Sequence, residues 1–70
     1  MANLKVQFGA RLKLLRAQRN MTQEQLADVT GLTIESISNI ERGIFGPRFD
    51  NLEKIAEALH LEAQRLFEFG

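Results

Sequence analysis

TQEQLADVTGLTIESISNIER, from Thr22 to Arg42, holds two short amphipathic segments joined at Gly31 with almost no linker. The first predicts a helix beginning at Thr22, whose hydroxyl caps the free amides while Gln25 reaches back in the T-x-x-Q form of a capping box. Its apolar side is Leu26 and Ala27, with Val29 and Thr30 alongside. Gly31 ends it, because a sharp turn needs a left-handed residue and glycine adopts that conformation without steric cost. Thr33 stands where it caps a second helix.

With Ile37 and Ile40 as the inward positions of that second helix, the 3.6-residue period brings Glu41 to the edge of the same face. It leaves Ile34, Glu35, Ser38, Asn39 and Arg42 outside. A generic solvated face carries Lys, Glu and Gln. Here a β-branched apolar residue, an amide and a hydroxyl cluster in the amino-terminal and middle part of one short helix. These types have partners in a DNA major groove: Asn pairs bidentately with adenine, Glu accepts from the cytosine amino group, and an apolar side chain meets the thymine methyl. Ile34, Glu35, Ser38 and Asn39 are therefore the candidate base-contact residues.

The segment resembles the helix-turn-helix of the lambda-repressor-like (Cro/CI, or Xre) family. The resemblance rests on Thr22, Gln23, Leu26, Ala27, Gly31, Ile37, Ile40, Glu41 and Gly43, and continues through Pro47 to Leu59 and back through Phe8 to Arg16. It covers nearly the whole chain, and the ordered set is specific where single elements are not. It implies that Gln23 contacts backbone phosphate, that Arg42 and Arg48 lie against phosphate or the minor groove, and that Arg16 and Glu41 form a structural ion pair. Thr33 is expected to serve as cap, phosphate ligand, or both. The chain departs from the family at Ile44 and Phe45, where lysine or a polar residue is common, so this stretch either packs under the next helix or meets a protein. It departs again at Arg48, where serine often caps, leaving Asp50 as the alternative cap or dipole partner.

Seventy residues make one domain at most, spanning 1–70 around a core motif at 22–43. Phe8, Leu12 and Leu15 predict a first helix from Val6 to Arg19, with Asn20 suited to its end. Phe49, Leu52, Ile55, Ala56 and Leu59 mark a fourth helix starting after Pro47 and closing near His60, a place where the family often has glycine. A fifth helix is expected over Glu62–Phe67, returning Leu66 and Phe67 to the core. Nothing alternates with period two. The expectation is an all-α, compact five-helix, lambda-repressor-like domain with its helix-turn-helix at helices 2 and 3. Leu59, Leu61, Phe67 and Phe69 supply an apolar carboxy-terminal surface shared between core packing and a two-fold dimer contact.

Net charge is zero, which counts against strong nonspecific DNA affinity. The distribution is uneven. Residues 1–20 hold Lys5, Arg11, Lys13, Arg16 and Arg19 with no acid, whereas residues 50–70 hold five acids against Lys54 and Arg65. The chain has no cysteine and one histidine, so no catalytic constellation, metal set or cofactor motif assembles, and an enzyme is not expected. No membrane segment or signal peptide is read, and a cytoplasmic, nucleoid-associated protein without a small-molecule ligand is expected. Two functions fit. The leading one is a transcriptional regulator, repressor or controller, that binds an inverted-repeat operator on double-stranded DNA as a homodimer. The competing one is a helix-turn-helix-derived protein-interaction module, such as an antitoxin or antagonist component, with weak or no DNA binding.

Overall fold

In the computed structural model, which describes residues 3–69, the first helix, α1, spans Leu4–Gln18. It begins two residues before the apolar stripe requires, because the Asn3 side chain accepts from the Val6 amide at 3.0 Å and caps it. α2 (Gln23–Thr30) and α3 (Ile34–Glu41) follow, then α4 (Phe49–Ala58). The expected fifth α-helix is instead a 3₁₀ turn, Ala63–Phe67. Five residues are too few to repay α-helix nucleation, and i→i+3 bonds such as Arg65 N–H to the Glu62 carbonyl (2.9 Å) close the turn. The tighter winding still drives Leu66 fully into the core.

One core joins all five elements: Phe8, Leu12 and Leu15 from α1, Leu26 and Ala27 from α2, Ile37 and Ile40 from α3, Leu52, Ile55 and Ala56 from α4, then Leu59 and Leu66. Three residues expected inward face water. Val29, placed beside the apolar side of α2, is 62% exposed, and Phe67 is 39% exposed. Phe49 is 86% exposed although it lies three residues before Leu52 on the inward stripe. Periodicity fixes its angle about the helix, but at the first residue of α4 there is no longer a neighbour to cover it.

Helix ends fix the path of the chain. After α1, Asn20 is left-handed (φ 56°), and the Met21 amide reaches the Arg16 carbonyl while the Asn20 amide reaches Ala17, a Schellman closure. The same pattern recurs at Gly43 (φ 77°) and His60 (φ 56°). Gly9 allows α1 to lie directly on the end of α3. A Cβ there would collide with the Ile40 carbonyl oxygen and stand 2.6 Å from that of Glu41.

Candidate nucleic-acid interface

The two helices of the opening motif are locked by their own caps. Thr22 Oγ1 accepts from the Gln25 amide (3.0 Å) while Gln25 Oε1 accepts from the Thr22 amide (2.8 Å). Thr33 Oγ1 accepts from the Ser36 amide (3.0 Å). Between them Gly31 takes φ 77°, and the buried Thr30 hydroxyl donates to the Leu26 carbonyl (2.7 Å) and accepts from the Leu32 amide (3.3 Å). The turn thus carries its own hydrogen bonds and needs no linker.

On α3, Ile37 and Ile40 are buried and the remaining residues divide by angle. At about 100° per residue, Ile34, Ser38, Arg42, Glu35 and Asn39 fall within an arc of about 140° on the opposite side. Ile34, Glu35 and Arg42 are exposed, and Ser38 and Asn39 are half-buried. Among the described residues no internal hydrogen bond engages the side chains of Glu35, Ser38 or Asn39, and the ion pairs are Arg11–Glu68, Arg65–Glu68 and Arg16–Glu41. Glu35 and Arg42 therefore stand unpaired on this face. The Asn39 backbone carbonyl accepts from the Ile44 amide (3.0 Å) in closing the helix.

Behind the face, the Glu41 carboxylate is the hub of a network whose carboxylate end is almost sealed from water, at 3% exposure. Arg16 Nε donates to Oε2 (2.7 Å) and Nη2 to Oε1 (3.1 Å), while Nη1 donates to the Met21 carbonyl (2.7 Å). The hydrogen bond to Glu41 raises the Arg16 pKa above the ordinary arginine value, against the lowering effect of burial. Gln23 Nε2 adds a third donor, to Glu41 Oε1 at 3.0 Å. Sequence reasoning assigned Gln23 outward only and missed this inward bond. One of its two amide hydrogens faces the carboxylate, and the other remains available.

The flanking basic residues lie apart from this network. Arg42 ends α3, and Arg48 occupies the N-cap of α4 without a side-chain capping bond, with Asp50 in the first turn. Ile44 and Phe45 between them are half or nearly half exposed, so they do not pack under α4. Thr22, Gln23 and Thr33 mark two helix starts whose free amides attract anions, beside a helix that offers unpaired base-reading groups. No titratable cluster suited to hold a metal occurs among the described residues, and no helix among them is long and apolar enough to cross a membrane.

Residues 12–66 match the model of the Helix-turn-helix family. The chain is 38% identical over 68 residues to the control protein C.BamHI of Bacillus amyloliquefaciens, covering 96% of this chain and 84% of that protein. The crystal structure of the restriction-modification controller protein C.AhdI from Aeromonas hydrophila superposes with a TM-score of 0.86 at 39% identity, over 89% of this chain and 94% of that one. The P22 c2 repressor in complex with a synthetic operator gives a TM-score of 0.81 at 26% identity, covering 87% and 92%. The chain spans less than half the length of two repressor relatives, the transcriptional repressor RghR of Bacillus subtilis and the immunity repressor of Bacillus phage phi105. The matched family, the controller and repressor relatives and the shared architecture agree: this chain belongs to the helix-turn-helix family of DNA-binding transcription regulators, which are not enzymes.

Proposed function

We propose that the chain binds an inverted-repeat operator as a homodimer and acts as a controller or repressor of transcription in the cytoplasm. The observation that carries this reading is the arc on α3: Ile34, Glu35, Ser38 and Asn39, unpaired and open, backed by Ile37, Ile40 and the Arg16–Glu41 pair. Asn39 pairs with adenine, Glu35 accepts from a cytosine amino group, Ile34 meets a thymine methyl, and the Ser38 hydroxyl bonds a base edge. Gln23, Thr33, Arg42 and Arg48 hold backbone phosphates and so position the domain without reading sequence. Protomer dimensions of 32 × 23 × 22 Å suit two copies whose reading helices enter successive major grooves about 34 Å apart. The P22 c2 operator complex supports the docking mode by likeness.

The competing reading, an interaction module with weak DNA affinity, is favoured by zero net charge and by exposed Ile44 and Phe45. Selection of bound duplexes from a random pool at low salt separates the two. An enriched palindrome with half-sites about one helical turn apart supports the regulator, and a pool that enriches nothing supports the module.

A further inference from the structure

The four outward residues Ile34, Glu35, Ser38 and Asn39 of α3 share a chemical bias. None is Arg or Lys, the side chains that read guanine through its O6 and N7 acceptors. Glu35 ends in a carboxylate, which accepts hydrogen bonds and cannot donate them. It has no ion-pair partner among the described residues. The donors such a group meets in the major groove are the exocyclic amino groups, N6 of adenine and N4 of cytosine. A bidentate Asn39 spends its own acceptor on adenine N6 as well. Ile34, 46% exposed, suits a methyl carried on a pyrimidine ring. Two of the four side chains thus converge on amino hydrogens, and one on a ring methyl.

We propose that this face is gated by base modification: one methyl on the exocyclic amino group of the adenine facing Asn39, or of the cytosine facing Glu35, releases the protein from its operator. The inference rests on the base contacts proposed above. Each amino group has two hydrogens, and in a duplex one is spent on the Watson–Crick partner while the other points into the major groove. A methyl that leaves pairing intact takes the groove-side place. It removes the hydrogen that the side chain accepts and sets carbon where a bond of about 3 Å would form. At Glu35 the loss is compounded, because a carboxylate desolvated in the groove is left without a donor.

The mounting of α3 decides whether the methyl can be accommodated. A loosely held helix would withdraw by an ångström or two and admit it. At the start of α3, Thr33 Oγ1 accepts from the Ser36 amide (3.0 Å) and its hydroxyl donates to Ser36 Oγ (3.0 Å). Behind the face, Ile37 and Ile40 are buried in the core. At its end, Arg16 grips Glu41 through bonds of 2.7 and 3.1 Å, and the Ile40 and Glu41 carbonyls lie against Gly9 with no room for a Cβ. The helix is fixed at both ends and along its back, so the methyl is met by the side chains alone. Glu35 is exposed and can swing away, but in doing so it gives up the contact. A methyl on the pyrimidine ring has a different effect, since it leaves the amino hydrogens in place. The face therefore responds to where a methyl sits.

The experiment uses the half-site enriched by selection, with each adenine replaced in turn by N6-methyladenine and each cytosine by N4-methylcytosine or 5-methylcytosine. Binding is followed by fluorescence anisotropy. For the parent, one N6-methyladenine position and one N4-methylcytosine position are each expected to cost about tenfold or more per half-site, while 5-methylcytosine at that same cytosine leaves binding close to that of the unmodified duplex. Asn39→Ala is expected to bind the unmodified site more weakly and to lose the response to N6-methyladenine, keeping the response to N4-methylcytosine. Glu35→Ala is expected to show the converse. If both variants bind the unmodified site more weakly but amino methylation leaves the parent's affinity unchanged, the base contacts stand and the gating falls alone. If the methyl effects persist undiminished in N39A and E35A, they act through the duplex, and the gating falls as well. If neither variant alters binding to the unmodified site, the base contacts fall and the gating with them.

Discussion

Asn39 carries the most testable assignment at the scale of a single residue. Asn39 is half-buried, its side chain has no internal hydrogen bond among the described residues, and it lies at one edge of the outward arc of α3. Asn39→Ala is expected to weaken operator binding by about 1–3 kcal/mol and to relax selection at a single base pair. A selected sequence and affinity both unchanged would remove Asn39 from the reading face. Arg16 predicts the opposite profile. Its guanidinium is 14% exposed and makes three bonds, two to a carboxylate that is itself 3% exposed, so Arg16→Ala strands Glu41 with only Gln23 for a partner. A loss of about 3–5 kcal/mol is expected in thermal or denaturant melting, a large part of what a domain this size possesses. Melting like the parent with lost DNA affinity would show that Arg16 belongs to the interface instead. With its folded pKa raised, Arg16 contributes stability that is complete below its unfolded pKa and is lost as pH rises through the folded value, far above neutrality. Melting near neutral pH should therefore show no titration from this residue.

Among the elements, the seam between α1 and α3 is the tightest, and Gly9 makes it possible. Gly9→Ala places a methyl against the Ile40 and Glu41 carbonyls, which are helix backbone and cannot swing aside. The expected cost is about 1–3 kcal/mol, read as a lower Tm, and a Tm at or above the parent's would show that the helices separate without penalty. At the other end of the scale lies relief of strain. His60 closes α4 in the left-handed region with an exposed side chain, so His60→Gly is expected to stabilise by about 0.5–1 kcal/mol. A lower Tm for H60G would show that the imidazole contributes more than its backbone conformation costs.

Element boundaries also show what the sequence could and could not carry. Caps are local chemistry, and Thr22 with Gln25, Thr33 and Gly31 act where their spacing places them. Periodicity resolves an angle about one helix, which is enough for Leu12, Ile37 or Ile55. It says nothing about where the neighbouring helix stops, and so Phe49 and Val29 read as inward yet lie in water. The last segment read as α-helix because Leu66 and Phe67 suit one, whereas the five residues Ala63–Phe67 that follow the left-handed corner at His60 close as 3₁₀. Within the candidate interface, the outward arc was legible from residue types. The bond from Gln23 to Glu41 was not, since it joins residues 18 apart through side-chain geometry alone.

For the whole molecule, electrostatics set the conditions of binding. Arg11 and Arg16 are engaged by Glu68 and Glu41, so the basic amino-terminal third offers less free charge than its composition suggests. Affinity is expected to fall with salt at a slope of about −0.9 per phosphate neutralised. Arg42→Gln should reduce that slope by about one per half-site without altering the selected sequence. An unchanged slope would place Arg42 away from the backbone.

The hydrogen bond from Gln23 to Glu41 has a thermodynamic consequence. A glutamine on a surface helix normally samples several rotamers, and a ligand that fixes one must meet the entropic cost at the moment of binding. Here that side chain is already held by a carboxylate that the core itself keeps in place, so its ordering belongs to folding rather than to association. The second amide hydrogen of Gln23 is thereby preorganised, and an anion arriving at the start of α2 would meet a donor whose direction is already set.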